Sequence, residues 1–268
     1  MKALAAHLKD ELADDPGSTL DARGYQPRQL VLWGASMAHL QVLLSLAARP
    51  LSEVRVILIA PHPRAVYPGR LAEFVAARAT AEECTIALEP LVRRAGIRWL
   101  QRNVRTINAS TRTLLLDDGT SQHYDWLSIN HGPVQNREAL EASIPGAREH
   151  GLFLYPTEAF VALWPRVCEM ATTRALRVAV IGAGTRAVEL ALAVRLRMPG
   201  AAITVVIQAL DDLHPPGLLP LVTQVLRRQR INVLQDVAVG LKSNEVLLGC
   251  GAALACDVPL FARESAAG

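Results

Sequence analysis

The chain has 268 residues, 51% of them hydrophobic, 20% charged and only 4% aromatic. That supports one large or two modest cores filled by Leu, Val, Ile and Ala, and it excludes a disordered chain. The net charge of +3 comes from 28 basic and 25 acidic residues scattered as singles and pairs such as Arg93-Arg94. With no basic block interleaved with aromatics, nucleic acid is not an expected partner.

Residues 1 to 27 read as a polar lead-in with a short helix at Ala3–Leu12. Asp10, Glu11, Asp14 and Asp15 fall where a signal peptide needs an apolar stretch. Arg or polar residues interrupt every apolar run before it reaches membrane-spanning length, so a cytoplasmic protein is expected. Gln29–Trp33 is an apolar run ending at Gly34, Ala38–Ala48 has helical spacing closed by Arg49-Pro50, and Val54–Ile59 is a second apolar run. This predicts strand, glycine turn, helix, strand. Ile97–Leu100 precedes a strand expected at Val104–Asn108, a β-turn at Asp117-Asp118-Gly119 joins Thr113–Leu116 to Gln122–Tyr124, and a hydrophobic strand follows at Trp126–Ile129.

The segment Pro133–Gly151 reads as a connection and Pro156–Ala171 as a helix leading into a second unit. There Leu176–Ile181 ends at Gly182, Val188–Leu196 is helical, and Ile203–Ile207 is a second strand. Ile231–Leu234, Val237–Leu241, Glu245–Leu248 and a closing strand Ala255–Phe261 repeat the later architecture of the first unit. Continuous apolar strands joined by helices predict parallel sheets covered on both faces, so the fold class is α/β with two Rossmann-like units carrying β-hairpin or meander additions. The expected boundaries are 28–150 and 151–262, with a tail at 263–268. Pro259 lacks a ladder donor, which predicts an edge strand or a frayed end.

Cys84, Cys168, Cys250 and Cys256 show no CxxC spacing and have no nearby His set, which argues against zinc and predicts buried single thiols.

Gly182-Ala183-Gly184-Thr185-Arg186-Ala187 is a G-x-G-x-x-A turn placed directly after a strand and opening a helix. Gly182 permits the tight bend, Gly184 leaves room for a pyrophosphate, and Ala187 allows close helix–strand packing. Helix-start N–H groups and the helix dipole then favour the phosphates. Twenty-one residues beyond Ala187, where an acid would grip an NADH ribose, stands Gln208, so NADPH stays open alongside NADH. The first turn, Gly34-Ala35-Ser36-Met37-Ala38-His39, keeps one glycine. Ser36 stands where the pyrophosphate approaches, and His39 where a small residue is usual. Ala60 takes the place of the ribose acid. A Rossmann-like half without a ligand is the alternative reading of this turn.

These segments resemble the two-dinucleotide-binding-domain flavoproteins of the pyridine nucleotide-disulfide oxidoreductase superfamily, and among them the type II NADH dehydrogenase-like branch. The similarity is carried by Leu30–Leu43, by Val56–Pro61 with Tyr67-Pro68-Gly69-Arg70-Leu71, by Tyr124-Asp125-Trp126-Leu127-Ser128-Ile129, and by Arg177–Leu192. The resemblance implies FAD in the first unit, NAD(P)H in the second, and hydride passing from nicotinamide to flavin and on to a quinone or another small-molecule acceptor. It implies that Gly34, Ser36, Ala38 and His39 face the FAD pyrophosphate, that Ala60 and Pro61 flank its ribose, and that Val104 offers backbone to the adenine. Gly132 would lie near the flavin path, and Gly182, Gly184, Thr185 and Arg186 would meet the NAD(P)H phosphates. Glu189 matches an acid common near the flavin–nicotinamide junction; an ordinary solvent-facing helix acid is the alternative.

Three departures qualify the resemblance. Ala35 and Ser36 replace glycines. Pro68 and Arg70 stand where small and apolar residues are usual. The family's return to the first domain through a Gly-Asp motif, and its C-terminal interface domain, are not found before Gly268. On this reading the first domain is incomplete, FAD affinity is expected to fall by several powers of ten, and peripheral membrane contact stays open. Two functions follow as expectations: a flavin-dependent NAD(P)H oxidoreductase, or a non-catalytic nucleotide-binding or interaction remnant of that family. A single-cofactor dehydrogenase would want Tyr-x-x-x-Lys, but Tyr155 is followed four positions on by Ala159.

Overall fold

A computed structural model describes residues 27–51, 53–132, 135–209 and 216–262. In chain order these form β1 (Arg28–Trp33), α1 (Met37–Ala48), β2 (Val54–Ile59), β3 (Arg64–Val66), a 3-10 turn (Pro68–Arg70) and α2 (Leu71–Val75). Next come β4 (Thr85–Ala87), α3 (Leu88–Ala95), β5 (Arg98–Leu100), β6 (Val104–Asn108), β7 (Thr113–Leu116), β8 (Ser121–His123) and β9 (Trp126–Ile129). Then follow α4 (Arg137–Ser143), α5 (Ala147–His150), β10 (Leu152–Phe153), α6 (Thr157–Thr173), β11 (Arg177–Ile181), α7 (Gly184–Arg197) and β12 (Ala202–Ile207). The chain continues through α8 (Leu219–Arg228), β13 (Ile231–Gln235), β14 (Ala238–Lys242), β15 (Glu245–Leu248), β16 (Ala253–Ala255) and β17 (Val258–Phe261). The helix expected at Ala3–Leu12 and the tail at 263–268 lie outside the described residues.

Contacts gather the chain into two compact units. Among the described residues, one holds those up to Pro63 together with Leu88–His131; the other holds Arg64–Ala87 and those from Gly132 on. This differs from a single linear boundary after residue 150. Arg64–Ala87 stays with the second unit because β3 pairs with β4 there and α2 buries Leu71, Phe74 and Val75 in that unit's core. Trp164 on α6 also donates its indole N–H to the Val75 carbonyl at 3.3 Å.

The first unit is a parallel sheet of order β5-β2-β1-β9. Val31, Ile57 and Ile59 pack against Leu114 and Leu116 of an antiparallel β6-β7-β8 meander. Each such fully buried Val, Leu or Ile contributes roughly 1.5–3 kcal/mol. The second unit repeats the plan: a parallel sheet β10-β17-β11-β12-β13 and a meander β14-β15-β16 whose Val246 and Leu248 pack on Ala179, Ile181 and Val206. The expected class, α/β with two Rossmann-like units, is what the chain adopts.

The repeat extends to individual hydrogen bonds. Leu116 N–H reaches the Thr120 carbonyl as Leu248 N–H reaches that of Ala252, and Tyr124 N–H reaches Arg112 as Cys256 N–H reaches Asn244. Each last parallel strand is preceded by an aspartate that clamps the first strand from both sides. Asp125 accepts the Gln29 N–H at 2.6 Å and returns its own N–H to the Gln29 carbonyl. Asp257 does the same with Arg177, at 2.8 Å in both directions.

Two expectations are corrected. Ala255–Phe261 is not one strand; it breaks at Cys256-Asp257, where the aspartate turns back to Arg177. Pro259 also does not sit on an edge strand, since β17 lies between β10 and β11. The missing donor is tolerated because β10 pairs only with Leu260 and Phe261 and does not reach Pro259. Of the four free thiols three are buried, but Cys250 is exposed.

Candidate functional site: two glycine turns

Both predicted turns leave the carboxyl end of a central parallel strand and open a helix, where an α/β sheet binds its ligands. Neither α1 nor α7 carries an acid in its first turn, and neither receives a side-chain cap. Each helix start thus keeps free N–H groups and a positive dipole end for an anion.

The second turn is open. Gly184 has φ +72°, and a Cβ added there would meet nothing within 4 Å. Ala183 and Thr185 are exposed and Gly182 is partly so, while Ala187 is fully buried against the sheet, as its place in the motif requires. Arg186 reaches Glu189 one turn on at 3.4 Å, and the Glu189 side chain is 53% exposed. That loose pair leaves both groups at the mouth of the turn. Gln208 follows β12 and is exposed.

The first turn is tighter. Gly34 has φ +92°, and a Cβ there would lie 2.4 Å from the His131 Cα, so only glycine fits. The Ser36 N–H, which the motif would aim at a pyrophosphate, is bonded to the Asn130 carbonyl at 3.0 Å. Met37 and Ala38 are exposed. The Asn130 side-chain oxygen is buried and, among the described residues, without a hydrogen-bond partner, an orphaned acceptor of the kind a bound donor or water satisfies.

His39 overturns its expected orientation. Instead of facing a pyrophosphate it is 2% exposed, turned under the bend and bonded to the Gly34 carbonyl through Nδ1 at 2.6 Å and to the Ser128 Oγ through Nε2 at 2.9 Å. Burial lowers its pKa below the ordinary imidazole value, opposed by the bond to Gly34. Sequence reasoning passed over Ser128 as a partner, although it stands in the quoted Tyr-Asp-Trp-Leu-Ser strand.

Ala60 is also buried, and its N–H and carbonyl are taken by Leu100 and by the Trp99 indole. Pro61 is partly exposed. Val104 opens β6 opposite Leu116, and Gly132 has φ +74°. Clefts of 470 Å³ at Leu46–Arg98 and 320 Å³ at Cys168–Ala201 open at the amino edges of the sheets, the end opposite the turns. Among the described residues no His, Cys, Asp and Glu group could hold a metal, and no helix is long and apolar enough to cross a membrane.

A family model described as pyridine nucleotide-disulphide oxidoreductase matches residues 28–262. The chain belongs to this family. Over 201 residues it is 24% identical to the alternative NAD(P)H-ubiquinone oxidoreductase C1 of Arabidopsis thaliana, covering 67% of this chain and 38% of that one. Among solved structures, NDH2 from Plasmodium falciparum in complex with NADH superposes with a TM-score of 0.74 at 14% identity, covering 91% of this chain and 56% of the other. Putidaredoxin reductase, in its covalent complex with putidaredoxin, gives 0.71 at 20% identity over 88% and 58%. The expected superfamily is borne out. The chain spans under two thirds of the length of each of these proteins.

Proposed function

We propose that this chain is the two-turn core of a flavin-dependent NAD(P)H oxidoreductase, holding FAD at the first turn and NAD(P)H at the second, with a quinone or another small molecule as electron acceptor. One observation carries the reading: two glycine bends, each at the carboxyl edge of its own parallel sheet, in units that repeat bond for bond. At the second turn the free N–H groups at the start of α7 and the open space at Gly184 suit a diphosphate, Arg186 adds a cation, and Gln208 can hydrogen-bond a ribose hydroxyl without repelling a 2′-phosphate. At the first turn the α1 start suits the same group less generously, because the Ser36 donor is already engaged; the orphaned Asn130 Oδ1 is an acceptor and would need a donor from elsewhere on the ligand or a water, not from the diphosphate. Bound flavin would supply the hydride-accepting and electron-passing chemistry. The chain's own part is to bind and orient. In this reading the Glu189 carboxylate steers the nicotinamide end; its loose, half-exposed pair with Arg186 supports that by leaving it available.

A second reading, a nucleotide-binding member without turnover, is favoured by the engaged Ser36 N–H. The two are separated by recording the visible spectrum of the purified protein and assaying NADH- and NADPH-dependent reduction of a quinone. A flavin spectrum with turnover supports the oxidoreductase. A colourless protein that binds NAD(P)H but reduces nothing supports the second reading.

A further inference from the structure

The third position of the glycine motif normally takes a small residue so that the helix can lie close on the strands. In the second unit this is so: Ala187 is fully buried, and the matching position on the neighbouring strand is Leu260, also fully buried. In the first unit the same two positions are His39 and Ser128. They do not merely fit. The hydroxyl is small enough to admit the imidazole, and it meets Nε2 at 2.9 Å while Nδ1 holds the Gly34 carbonyl at 2.6 Å. An apolar pair has been exchanged for a polar pair, His39 buried and Ser128 partly so, that ties the bend, the first turn of α1 and β9 together.

We infer that His39 is the positioning residue of the first turn. It does not touch the ligand; with Ser128 it fixes where the α1 start stands above the sheet, and so sets how well that start meets a dinucleotide phosphate. The inference rests on the reading of the first turn as a FAD site. The tautomer follows from the partners: Nδ1 carries the proton toward the Gly34 carbonyl, and Nε2 accepts from the Ser128 hydroxyl. With both nitrogens occupied and no water needed, removal of the ring leaves the Gly34 carbonyl and the Ser128 hydroxyl without these partners inside a buried site.

The test compares the chain with H39A, H39N and S128A by titrating FAD, followed by flavin fluorescence, and NADPH and NADH separately. H39A is expected to weaken FAD at least about tenfold, roughly 1.4 kcal/mol, while nicotinamide affinity at the second turn stays within about twofold, which also certifies the fold. H39N keeps a side-chain N–H at the height of Nδ1 and is expected to recover most of the loss. S128A removes one bond and should fall between. FAD affinity unchanged in H39A, or H39N no better than H39A, overturns the positioning role while leaving the site itself standing. A parent chain that binds NAD(P)H but takes up no FAD overturns the site and the role together.

Discussion

The two units are built on one plan, yet their glycine turns are held differently, and the difference locates where the molecule is rigid and where it is open. The first turn is wedged. Gly34 lies against the His131 backbone, Ser36 is bonded to Asn130, and His39 reaches β9. In the second turn a Cβ at Gly184 would meet none of the described residues, and Ala183 and Thr185 are exposed. The loads below the turns are reversed. The second unit carries the stronger strand clamp, because Asp257 is 2% exposed and adds bonds from the Arg177 and Arg174 guanidiniums. Among the described residues Asp125 has only the Gln29 backbone. One unit is tight at its turn and light at its base, and the other is the converse.

The largest effect should come from breaking the wedge. Gly34→Ala places a methyl 2.4 Å from backbone and forces a left-handed conformation on a β-carbon. A cost of at least about 3 kcal/mol is expected from the clash and strain together. Gly184→Ala meets open space and bears only the conformational term, about 1–2 kcal/mol. Denaturant melts should therefore rank Gly34→Ala far below Gly184→Ala, and equal losses would remove the contrast between the turns. Nicotinamide affinity should rank them the other way, with Gly184→Ala the weaker binder.

Next come the clamps. Asp257→Ala strips two guanidiniums and one N–H of their acceptor, and about 2–3 kcal/mol of stability should go with it. Asp125→Ala should cost about 1 kcal/mol. The arginines hold the Asp257 carboxyl well below the usual carboxylate range. Its contribution is then full above the ordinary aspartate pKa of about 3.9 and is lost only as pH falls through the lower, folded value. Acid unfolding of Asp257→Ala should therefore begin at higher pH than in the parent chain, and an unchanged acid midpoint would count against the clamp.

The clamps also show what sequence reasoning could and could not reach. The strands of both parallel sheets were legible because strands covered on both faces read as continuous apolar runs, as at Val54–Ile59 and Ile203–Ile207. The open turn at Gly182–Ala187 was legible because its chemistry is local. The Asp-before-strand pattern, Tyr124-Asp125-Trp126 and Cys256-Asp257-Val258, was there to be read by laying one unit on the other. Three-residue β3 and β4 were not legible, since eighteen residues of chain lie between strands with too few positions to show a period. Helix α3 carried its signal in Leu88, Val92 and Ala95 and was given no reading, and α4 carried its own in Asn136, whose side chain accepts the Ala139 N–H, inside the segment read as a connection. The direction of His39 could not be read locally, because it is decided by Ser128, far along the chain on β9.

The smallest effect, and the one that sharpens the comparison most, is in pH. His39 is a buried titrating group at a motif position that the second unit fills with Ala187. Its folded pKa lies below the ordinary 6.5, chiefly through burial. The unfolded chain therefore binds more protons in the window just under that value, and folding stability must rise with pH there. The contribution is complete above the unfolded pKa and is lost as pH falls below it. Denaturant midpoints taken at about pH 5 and about pH 7.5 should differ in this direction for the parent chain, and His39→Gln should shrink the difference, because its amide can still hydrogen-bond but cannot titrate. The same substitution should leave the acid unfolding set by Asp257 where it was, since that carboxyl titrates in the other unit against Arg174 and Arg177. A His39→Gln chain with the parent's full slope near neutrality would mean the imidazole does not change protonation between folded and unfolded states, and the polar latch under the first turn would then have to be drawn with its proton already in place.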